Sequence, residues 1–259
     1  MITVYDFDSS LPARAMSPFV WRIRFALNIK GLEHKTEWLN YGKLEEELKE
    51  RNGTPTRFLP DGTPVYTVPA IHDHSTNTTL SDSERILKYL DDAYPDTPQL
   101  TTSSHMDEEL VKQAFDSMWP LPLSALMLNG LWGLMVPVII KHIDEASALK
   151  YRSRFEVKTG VTVESLLGGD KRLELKTKAR ASLKEADRQL EEIGNLCEGK
   201  GPWLLGKEAK LPDLAVGGTL AYVAAVLGED SELWREIRQW DAGRWGNRWD
   251  EIKPYHKLY

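Results

Sequence analysis

Met16-Ser17-Pro18-Phe19-Val20-Trp21-Arg22-Ile23-Arg24-Phe25-Ala26-Leu27 sets a serine before a proline and then runs into a segment with helical spacing. Phe19, Val20, Ile23, Ala26 and Leu27 recur at three- and four-residue intervals, and Lys30-Gly31 supplies a basic last turn and a stop. Serine caps a helix, and proline at the first helical position loses nothing, because its N–H would be unpaired anyway. A cap satisfies this local pattern. Whether the Ser17 hydroxyl also faces something reactive depends on what the flanking sequence brings to the same place.

Upstream, Ile2, Val4 and Phe7 lie in a short β-like run that stops at the turn-rich Asp8–Pro12. Downstream, Lys35–Tyr41 reads as a second strand, Leu44–Arg51 as a short charged helix and Asn52–Pro64 as loop. Tyr66–Ile71 is β-like with Pro69 inside it, Thr78–Leu80 is a further strand, and Ser83–Tyr94 is a helix with Ile86, Leu87 and Leu90 on one face. The order is β-α-β-α-β-β-α. Pro95–Ser104 has the polar, proline-bearing composition of a linker, dividing a domain at 1–97 from one at 105–259.

Beyond the linker the strand signals vanish. Leu110, Val111, Ala114, Phe115 and Met118 make one helical stripe, and Ala179, Leu183, Ala186, Leu190 and Ile193 make another. Leu211–Leu227 is apolar nearly all round, as expected of a helix buried in a bundle. Its Gly217-Gly218 pair costs about 1 kcal/mol per glycine in helix propensity, which close helix–helix approach would offset.

The 259 residues carry a formal charge of −6, which argues against nucleic acid or an anionic membrane as the main partner. No apolar run approaches the roughly 18 residues of a transmembrane helix. The start, MITVYDFDSS, lacks the basic flank of a signal peptide. Cys197, the sole cysteine, cannot form an internal disulfide, so a reducing, cytoplasmic location is expected.

Two further stretches bear on Ser17. Pro69 within a β-like run deletes a ladder hydrogen bond, so it belongs at an edge or in a cis turn, where Val68 could pair with an extended peptide. Ser81-Asp82-Ser83-Glu84 fits a capping box from Ser81 to Glu84. It also fits an anion site at a helix start, with Asp82 beside it suited to an ammonium group.

A serine at the first helix start, a strand proline and Asp-Ser at the last helix start, all on one β-α-β-α-β-β-α unit, resemble the thioredoxin-like N-terminal domain of cytosolic glutathione transferases. The helical remainder resembles their C-terminal domain. More closely, Ser17–Arg22, Tyr66–Pro69, Ser81–Ser83, Arg152–Gly160 and the Trp/Arg-rich end resemble the fungal transferases related to bacterial lignin β-etherases. The resemblance implies that Ser17 is the catalytic serine, donating its hydroxyl to the glutathione sulfur without itself being the nucleophile. It places Phe19, Val68, Pro69, Asp82 and Ser83 around glutathione, with Val68 on the cysteinyl backbone and Asp82 and Ser83 on the γ-glutamyl end. The protein is then expected to be a homodimer without a metal. It would conjugate glutathione to hydrophobic or aromatic electrophiles in detoxification, with aryl ethers in scope. Sequestration of aromatic compounds such as wood extractives in the same pocket is the alternative, and a bare interaction module is a third reading.

The chain departs from the family at Lys210, where many members place a Ser or Thr cap three residues before the aspartate matched here by Asp213. Phe115, Met118, Trp119 and Leu123 are candidates for the hydrophobic substrate site, or else a plain core stripe. Lys43 and Arg57 are candidates, by charge and position, for the glycyl carboxylate. Trp234, Trp240, Trp245 and Trp249, interleaved with arginines, could stack nucleic acid or simply cover the bundle. His72-Asp73-His74 points both imidazoles one way but has no third ligand in view, so a solvated loop is expected.

Overall fold

The computed structural model describes residues 1–101, 120–196, 202–204 and 206–259. Strands β1 (Ile2–Phe7), β2 (His34–Leu39), β5 (Ala70–Asp73) and β6 (Thr78–Ser81) form a mixed sheet in the order β2-β1-β5-β6. β1 and β2 are parallel, joined through helix α1 (Pro18–Lys30), whereas β5 runs antiparallel to β1 and to β6. Val4 opposes Thr36 on one side and Ile71 on the other. Helices α2 (Leu44–Glu50) and α3 (Ser83–Ala93) complete this domain. The stretch Asn52–Pro64, expected as loop, contains β3 (Arg57–Phe58), which pairs with β4 (Pro64–Val65) in a small hairpin.

α1 begins and ends as its sequence dictates. Ser17 is extended (φ −120°) and its Oγ accepts the Val20 N–H, while Gly31 closes the helix in the left-handed region (φ 67°). The face of α1 that carries Val20, Ile23 and Leu27 is fully buried. Two charges are buried with it. Arg24 donates to Asp6 on β1 at 2.7 Å, with both side chains shielded from water.

The helical domain comprises, among the described residues, α4 (Pro120–Leu128), α5 (Leu131–Ile139), α6 (Glu145–Thr159), α7 (Gly169–Leu196), α8 (Leu211–Leu227) and α9 (Glu232–Ile252). α8 is the centre of the bundle, buried along almost its whole length. A Cβ on Gly218 would stand 2.7 Å from the Pro18 carbonyl oxygen, and one on Gly217 2.4 Å from the Phe25 ring. The close approach expected of this glycine pair is thus made to α1, so the domains meet backbone against backbone. α9 is broken at Trp240–Gly243. Its four tryptophans, Trp234, Trp240, Trp245 and Trp249, are all buried, so they cover the bundle and offer no stacking surface.

The expected linker is pinned. Lys30 Nζ donates to Asp91 (2.7 Å) and to the Pro98 carbonyl (2.8 Å), Asp91 accepts the Leu100 and Thr101 N–H groups, and Lys210 Nζ donates to the Gln99 carbonyl at 2.6 Å. Among the described residues, no helix is long and apolar enough to cross a membrane. The stripe at Leu110–Met118 and Cys197 lie outside the described residues.

Candidate active site

Ser17, Phe19, Val68, Pro69, Asp82 and Ser83 line one cleft of about 1090 Å³, which runs between the two domains. Three local structures bring them there. The Ser17 hydroxyl accepts the Val20 N–H at 3.3 Å, which uses a lone pair and leaves its own proton free to donate. At the second helical position the Phe19 N–H has no intrahelical acceptor, so α1 presents a second donor at its start.

The Val68–Pro69 peptide is cis, and the turn precedes β5, so the proline stands at the strand's entrance and not within it. The N–H and C=O of Val68 make no hydrogen bond among the described residues, and both remain available to an extended ligand.

The third structure corrects the expected capping box. Asp82, not Ser81, caps α3: its Oδ1 accepts the N–H groups of Glu84 (3.0 Å) and Arg85 (3.2 Å). Ser81 instead ends β6, its hydroxyl buried without a partner among the described residues. The chain turns at Asp82 with φ 86°, a conformation costly for a residue with a Cβ, which throws its carboxylate over the helix start. Oδ2 makes no hydrogen bond among the described residues, and Ser83 opens the helix beside it.

Beneath these three starts lies Arg22, 1 % exposed. Burial lowers its pKa to about 10 against the fields of Glu84 and Asp82, so it remains a cation at neutral pH. It donates to Ser124 of α4 at 2.7 Å and lies 5.3 Å from the Phe19 ring centre. An arginine on an otherwise apolar helix face was the sequence signal for this buried charge.

The helical domain supplies the rest of the wall. Tyr151 and Phe155 of α6, Trp132 of α5 and Tyr222 of α8 line the cleft with Tyr41 of the first domain. Trp132 Nε1 donates to the Tyr151 hydroxyl at 2.9 Å, and burial pushes the Tyr151 phenol up to about 12 and raises that of Tyr222 well above its ordinary value. Both stay protonated donors. Of these positions only Phe155 fell in a stretch the sequence singled out by resemblance, Arg152–Gly160, and none was given a site role, because aromatic residues at helical spacing also describe ordinary core.

Leu123 is 1 % exposed and packs in the core without lining the cleft. It stands two residues, or about 200° of helix, before the lining residue Ala125. Phe115, Met118 and Trp119 lie outside the described residues. Lys43 and Arg57 do not line the cleft. His72 and His74 stand side by side, ring centres 4.5 Å apart, each against a threonine hydroxyl. Among the described residues, no three His, Cys, Asp or Glu side chains gather as metal ligands.

Residues 16–93 match the family model for the glutathione S-transferase N-terminal domain, and residues 114–255 that for the C-terminal domain. A glutathione S-transferase of Ceriporiopsis subvermispora, solved in complex with glutathione, is 31% identical over 100% of this chain and 98% of its own, with a TM-score of 0.84. Glutathione transferase GSTFuA2 from Phanerochaete chrysosporium is 31% identical over 100% of this chain and 99% of its own, with a TM-score of 0.82. A second Ceriporiopsis subvermispora enzyme in complex with glutathione is 29% identical over 98% of each chain, with a TM-score of 0.83. No curated protein matches by sequence. With both domain models matched and full-length likeness to fungal enzymes, this chain belongs to the glutathione S-transferase family.

Proposed function

We propose that the chain transfers the glutathione thiolate to hydrophobic, aromatic electrophiles, with Ser17 as the hydroxyl that holds the sulfur. Glutathione lies extended along Val68, its cysteinyl backbone on the free N–H and C=O. Its γ-glutamyl carboxylate sits at the α3 start beside Ser83, and its ammonium meets Asp82. This order puts the sulfur at the start of α1. A thiol of pKa about 8.5 is mostly protonated at neutral pH. The helix terminus, the Ser17 O–H and the Phe19 N–H favour the thiolate, its proton passing to water. The thiolate then forms a C–S bond as the leaving group departs with the electron pair of the bond it breaks.

The observation that carries this reading is the convergence of Ser17, Val68 and Asp82-Ser83 on one cleft. The Ser17-Pro18-Phe19 start and the likeness to fungal enzymes support reading the chain as one of the fungal class related to lignin β-etherases, with aryl ether cleavage within its range. A cytosolic homodimer belongs to the same reading.

The test is conjugation of 1-chloro-2,4-dinitrobenzene by wild type and Ser17→Ala. A hydrogen bond to an ion contributes roughly 1.5–3 kcal/mol, so kcat/KM is expected to fall about 10- to 100-fold. The pH profile of kcat/KM should also move about one to two units alkaline as the thiol pKa rises. Equal rates and superimposable profiles would remove Ser17 from the chemistry.

A further inference from the structure

The cleft continues from Ser17 along α6, and its wall there is charged. Lys150, Arg154 and Lys158 stand one turn apart, a row about 12 Å long at 1.5 Å per residue. Tyr151 and Phe155 follow the first two by one position and present rings to the same space. The Trp132 ring meets Phe155 edge-on at 5.0 Å, and Lys178 adds a fourth cation from α7.

None of these four cations has a carboxylate partner among the described residues. Lys150 donates to the Gly42 carbonyl, Arg154 reaches the Tyr41 hydroxyl at 3.5 Å, and Lys158 lies over the Trp132 ring at 5.2 Å. Of the described acids lining the cleft, Glu174 pairs with Lys171 and Glu45 with Lys49, while Asp82 caps α3 through Oδ1 at the far, Ser83 end. Also on α6, Arg152, which does not line the cleft, pairs with Glu164 at 2.5 Å and Glu156 at 3.6 Å. A chain of formal charge −6 has ample acid to neutralise such a row, yet no described carboxylate is set against it.

We propose that the preferred electrophile is an aromatic anion, a ring bearing a carboxylate or sulfonate. Its ring lies against Trp132, Tyr151 and Phe155, and its charge meets Arg154, Lys158 and Lys178. This deepens the transferase reading and rests on it. Each cation is exposed and contributes modestly alone, but several of one sign along a low-dielectric wall concentrate the field on a bound anion.

The experiment compares kcat/KM at saturating glutathione for 4-chloro-3,5-dinitrobenzoate and neutral 1-chloro-2,4-dinitrobenzene, in wild type and in Lys158→Gln/Lys178→Gln. In both reactions a C–S bond forms and chloride leaves. The readout is the benzoate-to-neutral ratio, which cancels any loss of folded enzyme. The ratio is expected to fall about tenfold in the double variant and severalfold in wild type when salt rises from 20 to 300 mM. A ratio within twofold of wild type overturns the proposal. So does a change confined to KM for glutathione, which would assign the cations to the tripeptide's glycyl carboxylate. If wild type turns over neither halide, the transferase reading fails separately. Quenching of tryptophan fluorescence by 3,5-dinitrobenzoate then decides the anion site: weaker binding by the variant supports it, and equal binding overturns it.

Discussion

Asp213 does the work that a serine or threonine cap would share. Its Oδ1 accepts the Leu204 N–H at 2.8 Å and its Oδ2 the Lys210 N–H at 3.0 Å. Lys210 itself, which cannot accept, makes no cap bond and sends its ammonium to Gln99 instead. Burial raises the Asp213 carboxyl to about 6 from 3.8, outweighing these bonds and the field of Arg248. Because the folded pKa lies above the unfolded one, its contribution is full below about pH 4 and is lost as pH rises through 6. The effect is on the order of 3 kcal/mol. Asparagine at this position does not titrate. The stability gap between wild type and Asp213→Asn, measured by urea denaturation, should therefore be widest near pH 4 and narrow toward pH 7. A constant gap would mean that the carboxyl is not shifted.

Among elements, α1 was the most legible: Ser17-Pro18 and Lys30-Gly31 are local instructions, and both ends fall where they say. α8 was legible for a similar reason, since only a helix buried all round is apolar all round. The α3 cap was misread because two candidate caps adjoin, and the choice between Ser81 and Asp82 depends on where β6 lets go of the chain. The far wall of the cleft was scarcely legible. The stretch Arg152–Gly160 stood out by resemblance, but Tyr151 and Phe155 acquire a role only when α6 is laid beside α5, and a tertiary approach of this kind leaves no periodic trace. The glycine pair, by contrast, foretold contact without naming its partner, which proves to be α1. A methyl group on Gly218 would press on the Pro18 carbonyl and the Arg22 N–H, at 2.7 and 2.9 Å. Gly218→Ala is expected to cost about 1–3 kcal/mol in denaturation. Because the displaced helix carries Ser17, it should also reduce kcat by more than the loss of folded protein explains. Unchanged kcat per folded molecule would show that α1 tolerates the shift.

Across the whole molecule, the last residues return to the first domain. Asn28 Nδ2 donates to the carbonyls of Tyr255 and Lys257, and the Thr36 N–H of β2 donates to that of Tyr259 at 2.9 Å. His256 sits between the domains, stacked 4.6 Å from Phe25 with its ring nitrogens 3.0 Å from the carbonyls of Gly217 and Ile252. Burial lowers its pKa to about 4 from 6.5, outweighing those carbonyls. The sign is opposite to that of Asp213. The contribution of His256 is present above about pH 6.5 and is lost as pH falls through 4. The gap between wild type and His256→Phe, which keeps the stacking ring, should therefore shrink on acidification from pH 7 to 4. Parallel stability curves would show that the ring does not titrate in this range.

The meeting of α1 with α8 also limits how such enzymes can be shuffled. A hybrid joined near Pro95 takes its serine-bearing helix from one parent and the glycine pair beneath it from the other, and at this distance the two backbones fit as a matched seam. Parents that both keep small residues there can exchange halves. A donor with bulk at either position would lever the reactive hydroxyl off its mark, however well each half folded alone.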